Sequence, residues 1–175
     1  MSKMVGWLYE RECTVFRFVN LTCHSRYLTS LFGFVTHAGG ARTTILSTLL
    51  LLALLPAPIK VWGLQAAFAL AASHIPVHLI KKYYPRHRPY LAMPETKMLV
   101  YPLKDHSFPS GHTTAIFSVL TPFVFHLPSL ALPLIALGSL VALSRIYLGH
   151  HYPSDVLVGV LLGGGSGILS TLILG

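Results

Sequence analysis

The stretch SFPSGHTT at residues 107–114 puts Pro109, Ser110, Gly111 and His112 at the start of a long run without a formal charge. Burying a helix requires none of them, so the stretch asks for a chemical explanation. At a helix N-terminus, Ser110 and Gly111 would offer free backbone N–H groups and the positive end of the dipole to an anion. Gly111 would also let a ligand approach the main chain closely. Lys81, Arg88 and Arg145 would repel one another unless an anion sat among them. His112 and His151 can exchange protons near neutral pH. Asp155 follows His151 by four residues, beyond a Pro153 suited to opening a helix. That spacing lets the carboxylate reach back to one imidazole nitrogen and fix its tautomer. Cations, amide donors, two histidines and one orienting acid are the parts of a phosphoryl-transfer site.

The elements that must carry these groups follow from charge and hydropathy. The 175 residues are 53% hydrophobic and 10% charged, with a mean hydropathy of +0.64. A soluble domain of this size needs more polar surface, so the composition indicates one integral membrane domain over 1–175. The net charge of +8 suits anionic head groups or a phosphorylated substrate. It speaks against nucleic acid, because most of the chain prefers lipid. Cys13 and Cys23 make neither a disulfide framework nor a metal motif. Glu10, Arg11, Glu12 and Arg17 interrupt any signal-peptide core.

The fold class expected is all-α, a polytopic transmembrane bundle. Charge-free blocks at Thr43–Ile59, Val61–Ile80 and Val156–Gly175 each read as a span, and the 38-residue block Ser107–Ser144 divides at His126-Leu-Pro-Ser129 into two, near 110–126 and 129–148. That makes five spans. The N-terminal 1–40 region is amphipathic, with Tyr27–Ala41 long enough only for an interfacial or half-inserted helix. Gly159, Gly163 and Gly167 recur every four residues in the last span, a face for close helix contact. His74 and His78, at i and i+4, lack a third metal ligand and read as a packed pair.

Counting crossings places the polar groups together. Lys81 ends the second span, PSGH opens the third, Ser144-Arg145 ends the fourth, and His151 and Asp155 open the fifth. All of them reach one membrane face. The loop 81–106 joins them there and brings Lys82, Arg86, His87, Lys97, Lys104, Asp105 and His106.

Taken in order, Lys81-(six residues)-Arg88-Pro89, Pro109-Ser110-Gly111-His112 and Ser144-Arg145-(five residues)-His151-(three residues)-Asp155 resemble the three-part signature of the type 2 phosphatidic acid phosphatase superfamily. The resemblance covers residues 81–155 and implies a phosphatase of membrane lipid phosphates or diphosphates that uses neither metal nor cofactor. By that resemblance His151 attacks phosphorus, Asp155 holds its imidazole, and His112 protonates the leaving oxygen. Lys81, Arg88, Ser110, Gly111 and Arg145 bind the phosphate, and Ser144 adds at most a minor contact. His150 reads as structural. Bacterial membrane members look like six-span proteins, so the first span here is missing or degenerate.

Undecaprenyl diphosphate, phosphatidate and phosphatidylglycerol phosphate all fit as substrates, and Lys82, Arg86, Lys97 and Lys104 tilt the choice slightly toward a diphosphate. A metal transporter built on His74 and His78 leaves the 81–155 pattern unexplained. A non-catalytic lipid-phosphate-binding relative would normally have lost His112, His151 or Asp155. With the N-terminus on the site side, that side carries 12 of the 13 Lys and Arg, which places the site in the cytoplasm by the positive-inside rule. The resemblance implies the outer face of the cell membrane instead, and that orientation is the one expected.

Overall fold

The computed structural model describes residues 3–23, 25–54, 56–99 and 101–175. Of the ranges read above, Met1, Ser2, His24, Leu55 and Val100 lie outside the described residues. Among those described, every regular element is helical. The order is α1 (Lys3–Arg17), a π-turn (Phe18–Thr22), α2 (Arg26–Val35), a 3-10 turn (Thr36–Gly39), α3 (Ala41–Leu54), α4 (Ile59–Tyr83), a one-turn α5 (Pro89–Ala92), α6 (Gly111–His126), α7 (Ala131–Tyr147) and α8 (Pro153–Leu174).

Among the described residues, three helices are long and apolar enough to cross a membrane: Ile59–Tyr83, Pro128–Tyr147 with its leading 3-10 turn, and Pro153–Leu174. The 14-residue α3 and 16-residue α6 are shorter than a typical span. Two prolines, Pro56 and Pro58, separate α3 from α4. The exposed surface of α7 and α8 is studded with large apolar residues, among them Leu132, Leu140, Leu157, Leu161 and Leu172. The interior instead holds small and hydroxyl-bearing side chains. Ser118 of α6 donates to Ser73 of α4 at 2.9 Å, and His126 meets Gln65 at 2.8 Å. Apolar outside with small and polar residues inside is the pattern of a bundle whose solvent is lipid.

Helix α6 sits centrally, packed on α4, α7 and most closely on α8. The glycine face of α8 makes that approach possible. A β-carbon on Gly163 would collide with the Thr114 carbonyl oxygen and come within 3.0 Å of Phe117 Cβ and of the Ser118 amide nitrogen. Two of those atoms are backbone and cannot swing aside.

The N-terminal segment lies over the loop between α4 and α6. Arg17 pairs with Glu95 at 3.0 Å. Asn20, fully buried, donates to the carbonyls of Lys97 and Tyr147 at 2.9 and 2.8 Å and accepts from the Lys97 amide at 2.9 Å. Cys13 and Phe16 face inward while Trp7, Leu8, Val15 and Phe18 remain exposed. The expected short helix over 27–41 is split into α2 and a 3-10 turn, and Ser25 caps α2 by accepting from the Leu28 amide at 3.1 Å. The amphipathic 1–40 region thus holds a further helix, α1, ahead of α2.

Packing at α8 gives a sign test. Helix propensity alone favours Gly→Ala by about 1 kcal/mol, whereas overpacking costs roughly 1–3 kcal/mol. Gly165 is exposed and has nothing within 4 Å of a built β-carbon. Gly165→Ala is therefore expected to raise or preserve the thermal midpoint in detergent, and Gly163→Ala to lower it by several degrees.

Candidate active site

Local folding brings the three motif regions to one end of the bundle. Arg88 is extended, as the residue before a proline must be, and Pro89 starts α5. At the end of α7, Gly149 takes φ +82° and reverses the chain. The Arg145 carbonyl then accepts from both the His150 and His151 amides, each at 3.1 Å. Pro153 opens α8, and Asp155 in its first turn accepts from the Tyr152 amide at 2.8 Å. The Ser110 amide donates to the Asp155 carbonyl at 3.0 Å, which docks PSGH on the start of α8.

Two buried guanidinium groups dominate the site, with Arg88 1% and Arg145 2% exposed. Arg88 donates through Nε to the Asp105 carbonyl at 2.8 Å and through Nη1 to the His150 carbonyl at 2.9 Å. Its Nη2 reaches the Asp105 carboxylate at 2.7 Å, and Nη1 lies 3.2 Å from His151 Nε2. Lys81 holds the other Asp105 oxygen at 2.5 Å and the His106 carbonyl at 2.8 Å. One carboxylate thus bridges two of the expected phosphate ligands. Arg145 differs: it donates to Thr36 Oγ1 at 2.7 Å and His150 Nδ1 at 2.6 Å, both neutral, and its buried Nε has no acceptor. Among the described residues it has no carboxylate partner.

These contacts fix the tautomers. A guanidinium only donates, so His150 Nδ1 and His151 Nε2 are acceptors and each ring carries its proton on the other nitrogen. His151 Nδ1–H faces Asp155 Oδ2 at 3.4 Å, near enough to pair with an imidazolium but not a formed hydrogen bond. Burial, followed by the charges of Arg88 and Arg145, pushes His151 well below the usual histidine range. His150 is lowered to about 3 by burial, then Arg145 and Arg88. Both rings are neutral at pH 7, and His151 keeps a lone pair on Nε2. Burial would raise the Asp105 carboxyl, but Lys81 and Arg88 outweigh it and hold the group at about 2.

Asp155 is fully buried and heavily engaged. Arg86 donates to its Oδ1 at 2.7 Å, and Ser107 and the Tyr152 amide share Oδ2. Arg86 also pairs with Glu12 of α1 and lies 4.0 Å above the Tyr152 ring. Glu12 accepts in turn from Ser154 Oγ at 2.5 Å.

Lys81, Arg88, Arg145, His151 and Asp155 are thereby linked through one network. Ser110 is buried at its edge, its hydroxyl bonded to Thr113 Oγ1 at 2.9 Å rather than capping α6. Gly111 opens the helix with clear space around it. His112 follows, and its Nε2 approaches the Gly40 position before α3, 3.8 Å from where a β-carbon would be. Ser144 is turned back to the Val141 carbonyl at 2.6 Å. Of the cations expected to help a diphosphate, Arg86 is committed to Asp155 and Glu12, Lys82 lies over Tyr83, and Lys97 reaches the Leu21 carbonyl at 3.4 Å. Glu12, Thr36 and Ser107 were not anticipated, since no spacing in the sequence links them to their partners.

A pH limb follows from the buried rings. Unfolded histidines take protons near pH 6.5, whereas folded His150 holds out to about 3. The unfolded chain therefore binds more protons in this window, and stability falls as pH drops from 6.5 toward 3. Asp105 adds a further loss between its ordinary 3.8 and about 2. The detergent-solubilised protein is expected to show a thermal midpoint that declines below pH 6.5, and a flat profile from 7 to 4 would contradict the buried neutral rings.

Comparison with known proteins agrees with this geometry. The PAP2 superfamily matches residues 62–175, well over half of the chain. The chain is 37% identical over 90 residues to the undecaprenyl-diphosphatase BcrC of Bacillus subtilis (strain 168), covering 49% of this chain and 46% of that protein. The chain spans about half the length of the curated relatives it matches. The crystal structure of Aquifex aeolicus LpxE superposes with a TM-score of 0.80 at 27% identity, over 90% of this chain and 93% of that one. The PAP2-type phosphatidylglycerolphosphate phosphatase of Bacillus subtilis gives 0.76 at 22% identity, over 98% and 87%, a likeness of fold alone. With the signature residues gathered on one end of an all-helical membrane bundle, this chain belongs to the PAP2 superfamily.

Proposed function

We propose that the chain is an integral-membrane phosphatase of lipid monophosphates or diphosphates, working through a phosphohistidine. One observation carries the reading: Arg145 is buried beside Arg88 with only neutral partners and an idle Nε. A buried cation without a counter-charge is costly, and a phosphate supplies the missing anion. Lys81, Arg88 and Arg145 hold its oxygens, with the Gly111 amide and Ser110 completing the cradle.

In this mechanism Nε2 of His151 attacks phosphorus and the bond to the lipid oxygen breaks. Nδ1 keeps its proton, and the positive charge that develops on the ring is stabilised by Asp155. His112 gives its proton to the leaving lipid oxygen. It then takes one from water, which attacks the phosphohistidine, releases phosphate and returns the lone pair to Nε2. Arg86 and Ser107 position Asp155. Arg88 must leave the His151 lone pair as phosphate arrives.

All of 1–175 forms one phosphatase domain in this reading. Helices α3, α4, α6, α7 and α8 make five crossings, the two short ones in bilayer thinned around the protein. Helices α1 and α2 lie in the interface with Trp7 and Phe18 toward lipid. The site faces the outside of the cell membrane, as suits dephosphorylation of a carrier lipid there.

Phosphate release by purified protein in excess EDTA tests the activity, with undecaprenyl diphosphate, phosphatidate and phosphatidylglycerol phosphate side by side. Release that survives EDTA is expected from at least one lipid. His151→Ala is expected to abolish it, and Arg145→Gln to reduce it by about 100-fold or more. Activity indifferent to His151 would overturn the mechanism.

A further inference from the structure

The turn between α2 and α3 belongs to none of the three motif regions, yet it touches two of them. Gly39 is wedged between helices: a β-carbon there would lie 2.7 Å from both the His112 carbonyl oxygen and Val141 Cγ1. His112 stands in the first turn of α6, and Val141 lies one turn before Arg145 on α7. Thr36, at the start of the turn, receives Arg145 Nη1 at 2.7 Å. Gly40, at its end, is the position that His112 Nε2 approaches. Residues 36–40 therefore run from one expected phosphate ligand to the group assigned to the leaving oxygen. The missing side chains at 39 and 40 let the backbone come this close.

Thr36 is chemically unlike its counterparts on the helices. In Thr29, Thr44, Thr48, Thr114, Thr121 and Thr171 the hydroxyl donates to the carbonyl four residues earlier. The Thr36 oxygen instead accepts from Arg145. A hydroxyl that accepts still has one proton to donate, and among the described residues that proton has no acceptor. Accepting from a guanidinium polarises the O–H and strengthens it as a donor. Thr36 is only 6% exposed, and buried donors are rarely left idle.

Two idle donors thus sit on side chains that are bonded to each other. One is the Thr36 O–H, and the other is Arg145 Nε, which also has no acceptor among the described residues. A tetrahedral anion presents several oxygens and can take both.

We propose that Thr36 is a phosphate ligand from outside the 81–155 signature, donating its hydroxyl to an oxygen of the transferring group while it holds Arg145. The N-terminal segment then supplies part of the active site instead of only lying over it. The proposal rests on the phosphatase reading, so binding and turnover are measured separately. Inorganic phosphate is titrated into the detergent-solubilised protein by calorimetry, and phosphate release from the fastest of the three lipids gives kcat/KM.

Thr36→Val removes the hydroxyl at nearly constant shape. It is expected to weaken phosphate binding and lower kcat/KM, each by about tenfold or more, as loss of a hydrogen bond to a charged group does. Thr36→Ser keeps the donor and is expected to stay within about threefold of wild type on both. Thr36→Ala repeats the truncation without the branch, so a turn disturbed by valine does not decide the result. Thr121→Val, whose hydroxyl serves the Phe117 carbonyl, is expected to change neither measurement.

A role limited to steering Arg145 gives a different pattern. In an Arg145→Gln background it has nothing left to steer, whereas loss of a direct ligand still lowers kcat/KM by about fivefold or more. No further loss in the double variant would overturn the proposal, as would undiminished phosphate binding in Thr36→Val and Thr36→Ala. Phosphate binding that depends on Thr36, without release from any lipid, would sink the phosphatase reading alone. Lipid turnover indifferent to Thr36 would sink this proposal and leave that reading standing.

Discussion

A buried positive charge with no negative partner among the described residues is the constraint around which this molecule is arranged. Arg145 sits at the end of α7 among Thr36, His150 and the backbone of the following turn. Among the described residues Asp105 pairs with Lys81 and Arg88 rather than with Arg145. In the proposed mechanism Arg145 already waits for an anion, whereas Lys81 and Arg88 must exchange contacts with Asp105 and His151 for contacts with the transferring group. The neutrality of His151 belongs to the same design. Two guanidinium groups and a dry setting keep a proton off the ring, and an imidazole without that proton has a lone pair to use.

Holding such a cluster together takes close backbone packing. The PSGH turn and the His151–Asp155 segment belong to different helices, and their relative position is set where α6 meets α8. Glycines on α8 let the two helices approach until the Ser110 amide can bond the Asp155 carbonyl. Lipid gives no hydrophobic drive to helix association. Steric fit and buried hydroxyl pairs such as Ser73–Ser118 do that work here.

Much of this was legible in the chain itself. Counting crossings between charge-free blocks brought Lys81, His112, Arg145 and His151 to one face, because a membrane permits only two sides. Helix ends followed where Pro and Gly dictate them, at Pro89, Gly149 and Pro153. What escaped was long-range. Glu12 meets Ser154 across 142 positions and Thr36 meets Arg145 across 109, and no local period encodes such meetings. Arg86 shows the same limit: in the sequence it reads as a loop cation that could help a diphosphate, but its guanidinium turns to Glu12 and Asp155. The length of α3 was overestimated, because a charge-free block includes turn residues that do not extend the helix, whereas α6 runs within one residue of the expected 110–126.

The clasp between Glu12, Arg86 and Ser154 has a consequence for biogenesis. A chain is made and inserted from its N-terminus, so α1 exists long before the first turn of α8. Until that last hairpin arrives, Glu12 has no serine to hold and Asp155 is absent altogether. In the proposed mechanism, the residues that orient the reacting imidazole are thus assembled from segments 142 positions apart. A partly translated protein would have its cations in place without the group that uses them.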